Sequence, residues 1–159
     1  MYDFICVPSP LGTLTIAAAG DAITALVIEG QNYADRHLAG EGKARRTPVL
    51  LAAKDWLDAY FSGGNPDPDA LRIDPAGTEF QKRVWLELRR IPYGTTVSYG
   101  ALAERLGSSA RAVGGAVGRN PVSILIPCHR VVGADGSLTG YAGGVENKRR
   151  LLRLEGVPV

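Results

Sequence analysis

Two clusters of proline and glycine split this chain into halves that read with different periodicities. Ser62-Gly63-Gly64-Asn65-Pro66-Asp67-Pro68-Asp69 and then Asp74-Pro75-Ala76-Gly77 interrupt any helix or central strand, because proline lacks a backbone donor and these residues favour turns. The domain boundary is placed here, giving residues 1–75 and 76–159. Before the boundary the pattern is β-type. Phe4-Ile5-Cys6-Val7, Thr13-Leu14-Thr15-Ile16-Ala17 and Ala22-Ile23-Thr24-Ala25-Leu26-Val27-Ile28 are separated by Ser9-Pro10-Leu11-Gly12 and Gly20-Asp21. Such closely spaced β-branched runs predict an antiparallel meander. Residues 30–47 read as polar and irregular. From Val49 to Phe61 the apolar positions recur with helical spacing, which predicts one amphipathic helix.

After the boundary the pattern turns helical. Thr78-Glu79-Phe80-Gln81 fits a capping box, and a helix should follow through Arg90 with Phe80, Val84, Trp85 and Leu88 on one side. Ser98 can cap a helix through Leu106, Gly107 makes a turn, and Ser108 or Ser109 caps a second helix from Ala110 to about Gly118. That second helix carries Gly114, Gly115 and Gly118, each costing ~1 kcal/mol against alanine. Close backbone approach would compensate, either to another helix or to a DNA duplex; Arg111 in the first turn favours the duplex. Val131-Val132 and Ser137-Leu138-Thr139 flank Gly133-Ala134-Asp135-Gly136, the signal of a hairpin or wing. A closing helix runs from about Glu146 to Leu154, with Gly156 as its stop.

Charge follows the same division. Residues 1–75 hold six Lys/Arg against ten Asp/Glu, a net of −4, and residues 76–159 hold twelve against six, a net of +6. A basic half joined to an acidic one suits a polyanion-binding domain on a partner domain that does not bind. No apolar run approaches the ~20 residues of a membrane span, and Met1-Tyr2-Asp3-Phe4 does not begin a secretory signal. With two cysteines, a reducing, cytoplasmic setting is expected, without disulfide, structural zinc or other metal.

The chemistry concentrates in Ile126-Pro127-Cys128-His129-Arg130. Val122-Ser123-Ile124-Leu125-Ile126 reads as a short buried strand, and Pro127 stops further pairing. Cys128 is thereby held at the end of an element, with His129 and Arg130 beside it to lower the thiol pKa. A cysteine can also be simply a small buried hydrophobe, but Pro-Cys-His-Arg is a poor way to fill a core.

These residues, with Arg111-Ala112-Val113-Gly114-Gly115-Ala116-Val117-Gly118-Arg119-Asn120-Pro121 upstream and Thr139-Gly140-Tyr141-Ala142-Gly143-Gly144 downstream, closely resemble the O6-alkylguanine-DNA alkyltransferases over residues 78–156. The first 75 residues match only loosely. The resemblance implies an α+β fold of two domains. The N-terminal one would be a ribonuclease H-like sheet with helix, of structural role, and the C-terminal one a mostly helical winged helix-turn-helix. It implies irreversible, single-use transfer of the alkyl group of O6-alkylguanine, and less well of O4-alkylthymine, to Cys128 after nucleotide flipping. His129 would take the thiol proton, Glu155 would orient His129, and Tyr99 would donate to the base. Asn120 would tie the turn near the thiol, and the backbones of Val131 and Ala142, with Tyr141, would line the base pocket. Arg111 would fill the stack vacated by the flipped nucleotide, while Ala112, Gly114, Gly115 and Arg119 would meet the DNA backbone in the minor groove. The partner expected is double-stranded DNA carrying alkylated guanine, with no cofactor and no membrane. The protein is expected to be a monomer in solution, with cooperativity on DNA left open.

Overall fold

The computed structural model describes residues 1–159, which divide into two compact units. One comprises Met1–Ala76 with Pro121–Ser123, the other Gly77–Asn120 with Ile124–Val159. The first unit holds a four-stranded sheet in the order β3-β2-β1-β4. Strands β1 (Tyr2–Val7), β2 (Leu14–Ala19) and β3 (Ala22–Ile28) form the antiparallel meander expected from their β-branched runs. Residues 30–47 are more regular than their polarity suggests. They contain a short helix α1 (Ala34–His37) and a strand β4 (Gly42–Ala44) that pairs in parallel with Tyr2–Phe4. Gly42 is required there, since a Cβ would run into the Tyr2 ring. That ring is held by its hydroxyl, which donates to the Leu38 carbonyl at 2.6 Å.

Helix α2 (Pro48–Phe61) buries Leu50, Leu57 and Tyr60 of the expected apolar positions, together with Ala53, against a core with Leu14, Ile16, Leu26 and Ile28 fully buried; Leu51, Trp56 and Phe61, also expected inside, are only half-buried. Pro121–Ser123 completes this unit. Leu26 N–H donates to Pro121 O at 2.9 Å, and Ser123 N–H to Leu26 O at 3.0 Å. The Ser123 hydroxyl bonds Gln31 Oε1 at 3.0 Å.

The second unit begins with α3 (Glu79–Leu88), whose N-terminus carries the full reciprocal box between Thr78 and Gln81. The helix ends at Leu88, two residues before the expected Arg90, with Arg89 as C-cap. Val84, Trp85 and Leu88 are buried, whereas Phe80 is half-exposed. Ser98 caps α4 (Tyr99–Leu106) and Ser109, rather than Ser108, caps α5 (Ala110–Gly118). Gly107 between them adopts φ 62°, the left-handed turn that glycine makes without a Cβ penalty. Helix α5 packs on α3 and α4, and Trp85 Nε1 donates to Ala116 O at 2.8 Å.

Two expectations fail on either side of Cys128. Residues 122–126 are buried as expected but form no strand. Val122 makes an isolated bridge to Leu26, and Ile124 turns to φ 71°, which breaks the extended run. The segment after the thiol is not a two-stranded hairpin either. Strand β6 (Val131–Val132) pairs in parallel with β5 (Val97–Ser98), and residues 137–139 form no strand. The Asp135-Gly136 turn does form, closed by Gly133 N–H to Ser137 O at 2.9 Å. Helix α6 (Val145–Leu154) then closes the unit.

Candidate active site

The thiol sits on a single 3-10 turn, Cys128–Arg130. Pro127 directs the chain into it with φ −79° and ψ 62°, and the Val131 N–H closes it on the Cys128 carbonyl. Just upstream, Asn120 Nδ2 donates to Ile126 O at 2.9 Å, bridging the end of α5 to the residue two before the cysteine. Asn120, Cys128, His129 and Arg130 are all buried. The turn therefore holds three polar side chains in a dry environment, and each needs partners there.

Glu155, the C-cap of α6, supplies most of them. Its Oε2 lies 2.7 Å from His129 Nε2 and accepts from Arg130 Nη2 at 3.0 Å. Its Oε1 accepts from Arg130 Nε at 2.8 Å and from the Gly94 N–H at 3.0 Å. Arg130 is held further by Nη1 donating to Ile91 O at 2.7 Å, and its guanidinium lies 5.8 Å from the Tyr93 ring centroid. A carboxylate gripped at both oxygens by guanidinium is a fixed acceptor. It thus places the histidine proton on Nε2 and leaves Nδ1 as the basic nitrogen. Nδ1 is buried and has no hydrogen-bond partner within the protein. Burial first, and the nearby Arg130 and Lys148 charges, lower the His129 pKa against the opposing pull of Glu155. His129 is therefore a neutral base.

For Cys128 the outcome differs from the sequence expectation. Burial raises the thiol pKa above its ordinary value and outweighs Asn120, Lys148 and Tyr141, which pull it down. A cysteine flanked by basic residues was expected to be drawn towards the thiolate, but neighbours in the chain do not offset the loss of water around a residue that is only 4% exposed. The resting group is a thiol, and ionising it requires a base. No hydrogen bond joins it directly to His129.

Tyr99, the first residue of α4, faces the same space. Burial raises its pKa most, Thr139 hydrogen-bonds to it, and Cys128 is close enough to be felt electrostatically. The structure thus brings Cys128, His129, Glu155, Asn120, Tyr99 and Tyr141 into one cluster. One member had no sequence signal. Lys148 of α6 is fully buried, its Nζ 2.9 Å from Thr139 O and 5.9 Å from the Tyr99 ring centroid. Its neighbours Glu146, Asn147, Arg149 and Arg150 are polar, and nothing in the local pattern marks it as buried. Arg130 was seen as a thiol neighbour, but not as the partner of Glu155.

Arg111, Ala112, Gly114 and Gly115 lie on α5, and Arg119 is its C-cap. Arg111 and Ala112 are exposed in its first turn, and no hydrogen bond or ion pair holds Arg111. Arg119 Nη1 reaches back to Gly115 O at 3.4 Å. Crowding within the protein does not demand the glycines. A Cβ on Gly114 would meet the Tyr99 ring no closer than 3.9 Å, one on Gly115 would come no closer than 3.8 Å to Arg119, and one on Gly118 would meet nothing.

A buried cysteine beside a glutamate-held histidine, in a unit that carries a helix-turn-helix, is the arrangement of a cysteine nucleophile with its base. Comparison with known proteins narrows the class. Residues 2–75 match the ribonuclease-like domain model of 6-O-methylguanine DNA methyltransferase, and residues 79–157 match its DNA-binding domain model. The chain belongs to the 6-O-methylguanine DNA methyltransferase family. It is 44% identical to the methylated-DNA–protein-cysteine methyltransferase of Mycobacterium bovis, over 98% of this chain and 93% of that one. With the Haemophilus influenzae protein of the same name it shares 43% identity over 95% and 84% of the two chains. Among solved structures, the OGT of Mycobacterium tuberculosis in complex with DNA superposes with a TM-score of 0.88 at 43% identity, over 97% of this chain and 93% of that one. An O6-methylguanine DNA methyltransferase from Methanococcus jannaschii gives 0.70 at 27% identity, over 98% and 95%.

Proposed function

We propose that this chain repairs DNA by direct, single-use transfer of an alkyl group from O6-alkylguanine to Cys128. The observation that carries this reading is the buried thiol beside a histidine held 2.7 Å from Glu155. Glu155 leaves His129 Nδ1 as the free base, and the thiol proton passes to it through an intervening water. The thiolate then displaces guanine in line at the alkyl carbon. A carbon–sulfur bond forms, the carbon–oxygen bond breaks, and the electron pair returns to the base, where Tyr99 donates a hydrogen bond to the developing charge.

A thiol this deeply buried cannot reach a base inside a stacked duplex, so the nucleotide flips into the pocket. Tyr141 and Ala142 wall that pocket. The Val131 N–H is already bonded to the Cys128 carbonyl, so base reading by Val131 falls to its carbonyl oxygen. Room for Cβ atoms at Gly114 and Gly115 supports the view that these glycines serve an external approach. In that reading α5 lies close to the sugar-phosphate backbone in the minor groove, with Arg111 entering the stack and Arg119 meeting phosphate. The first unit plays a structural role. The protein acts as a monomer, and O4-alkylthymine is a poorer substrate than O6-alkylguanine.

Nothing in the cluster activates water against a thioether, so each molecule acts once. Mass spectrometry after incubation with excess O6-methylguanine duplex tests this. One methyl per protein, mapped to Cys128 and absent in Cys128→Ser, is expected. Several bases repaired per protein, or methylation elsewhere, would overturn it.

A further inference from the structure

Lys148 is a buried cation for which the transfer chemistry above has no use. It lies on α6 with no exposed surface, although lysine is rarely buried without a carboxylate partner. No salt bridge holds it. Its Nζ donates to Thr139 O at 2.9 Å and reaches Gly140 O at 3.5 Å. Those two carbonyls immediately precede Tyr141 and Ala142, the pocket wall. From α4 the Tyr99 ring faces the ammonium at 5.9 Å, and from the 3-10 turn Cys128 and His129 both feel its charge. The neighbours of Lys148 on its own helix turn elsewhere, Asn147 to Gly143 O and Arg149 to Glu146.

We propose that Lys148 is a positioning residue for alkyl transfer: its ammonium pins the 139–140 carbonyls so that the pocket wall stands opposite Cys128, and its charge faces the thiolate that must form there. The inference rests on the Cys128 reading of the preceding subsection. During the reaction Lys148 keeps its proton. The thiol proton goes to His129, and Lys148 offsets the negative charge left on sulfur until that charge moves to the departing base. A fixed cation beside a buried anion favours ionisation of the thiol, while an uncharged side chain there supplies neither the charge nor the donors.

This placement has a consequence in pH. Burial pushes the Lys148 ammonium down to about 8, against an opposing pull from Cys128. The charge is therefore present below that value and is lost as pH rises through it. The transfer rate should climb with thiol ionisation and then fall on the alkaline side. Arginine stays charged throughout this range, so Lys148→Arg should lose the alkaline fall. Lys148→Met should lack the fall as well, and should be slow at every pH. Loss of one opposing charge raises a thiol pKa by about one unit, equivalent to ~10-fold less thiolate.

The test is single-turnover methyl transfer from a saturating O6-methylguanine duplex, from about pH 6.5 to 9.5. It is run on wild type, Lys148→Arg and Lys148→Met, alongside ultraviolet titration of the Cys128 thiolate in each protein. The expected result is an alkaline limb near pH 8 in wild type alone, with a higher thiolate pKa in Lys148→Met. The same limb in Lys148→Met, no limb in wild type, or an unmoved thiolate pKa would overturn the role of Lys148. Failure of wild type to methylate Cys128 at any pH would instead overturn the transfer reading itself.

Discussion

Replacing Glu155 by glutamine tests the centre of the site, because it changes charge and one donor while keeping volume. The side chain is fully buried and bonded at 2.7 Å to His129, at 2.8 and 3.0 Å to Arg130, and at 3.0 Å to the Gly94 N–H. Glutamine retains one acceptor oxygen. That oxygen can still serve Gly94 and Arg130 Nε, but the amide NH2 then faces Arg130 Nη2 and His129 Nε2. Two donors meet at Arg130, and its guanidinium, with 10% of its side chain exposed, loses its counter-charge. Removing one partner of a buried ion pair costs about 3–5 kcal/mol.

His129 responds as well. Facing an amide donor, Nε2 becomes the acceptor and the proton shifts to Nδ1, which removes the base intended for the thiol. A general base contributes on the order of 10²–10⁴ in rate, so transfer should fall by at least ~100-fold. Urea denaturation gives the stability change, and single-turnover transfer on protein shown to be folded gives the rate. Arg130→Met and the double variant complete a cycle. The double variant should be less destabilised than the two single losses combined, since it leaves no orphaned charge. Stability within about 1 kcal/mol of wild type, with transfer within ~3-fold, would refute the argument that Glu155 organises both Arg130 and His129.

Two further outcomes follow from α5. If Arg111 occupies the space of the flipped nucleotide, Arg111→Ala should slow transfer from duplex DNA much more than from free O6-methylguanine base, because extrusion costs a few kcal/mol only in the duplex; equal loss on both substrates would place Arg111 in the fold instead. Gly115→Ala should stabilise the folded protein by up to ~1 kcal/mol through helix propensity, as the added Cβ meets nothing nearer than 3.8 Å, and should weaken duplex binding; thermal melting and a DNA titration read the two effects, and stabilisation with unchanged affinity would mean that α5 does not approach DNA at this position.

The chain states its local structure openly, and contacts between distant residues hardly at all. Thr78 with Gln81, Ser98 as a cap, a second serine cap at 108 or 109, Gly107 as the turn and the helical period of α2 were legible, because each depends on residues a few positions apart. The motif around Cys128 marked the thiol proposed as nucleophile, and its resemblance to a known family pointed to His129, Glu155, Asn120 and Tyr99, which the fold gathers around it. Other features have no local cause. Strand β4 pairs with residues about 40 positions earlier, and residues 122–126 leave the extended conformation at Ile124 although their composition is that of a strand. Arg130 meets Glu155 across 25 residues, and Lys148 loses its water because the 139–140 carbonyls fold over it. The direction of the Cys128 pKa is the clearest case. Adjacent residues in the chain argue for a lowered value, but the cost of ionising a thiol is set by how much solvent the surrounding packing removes, and only the tertiary structure determines that.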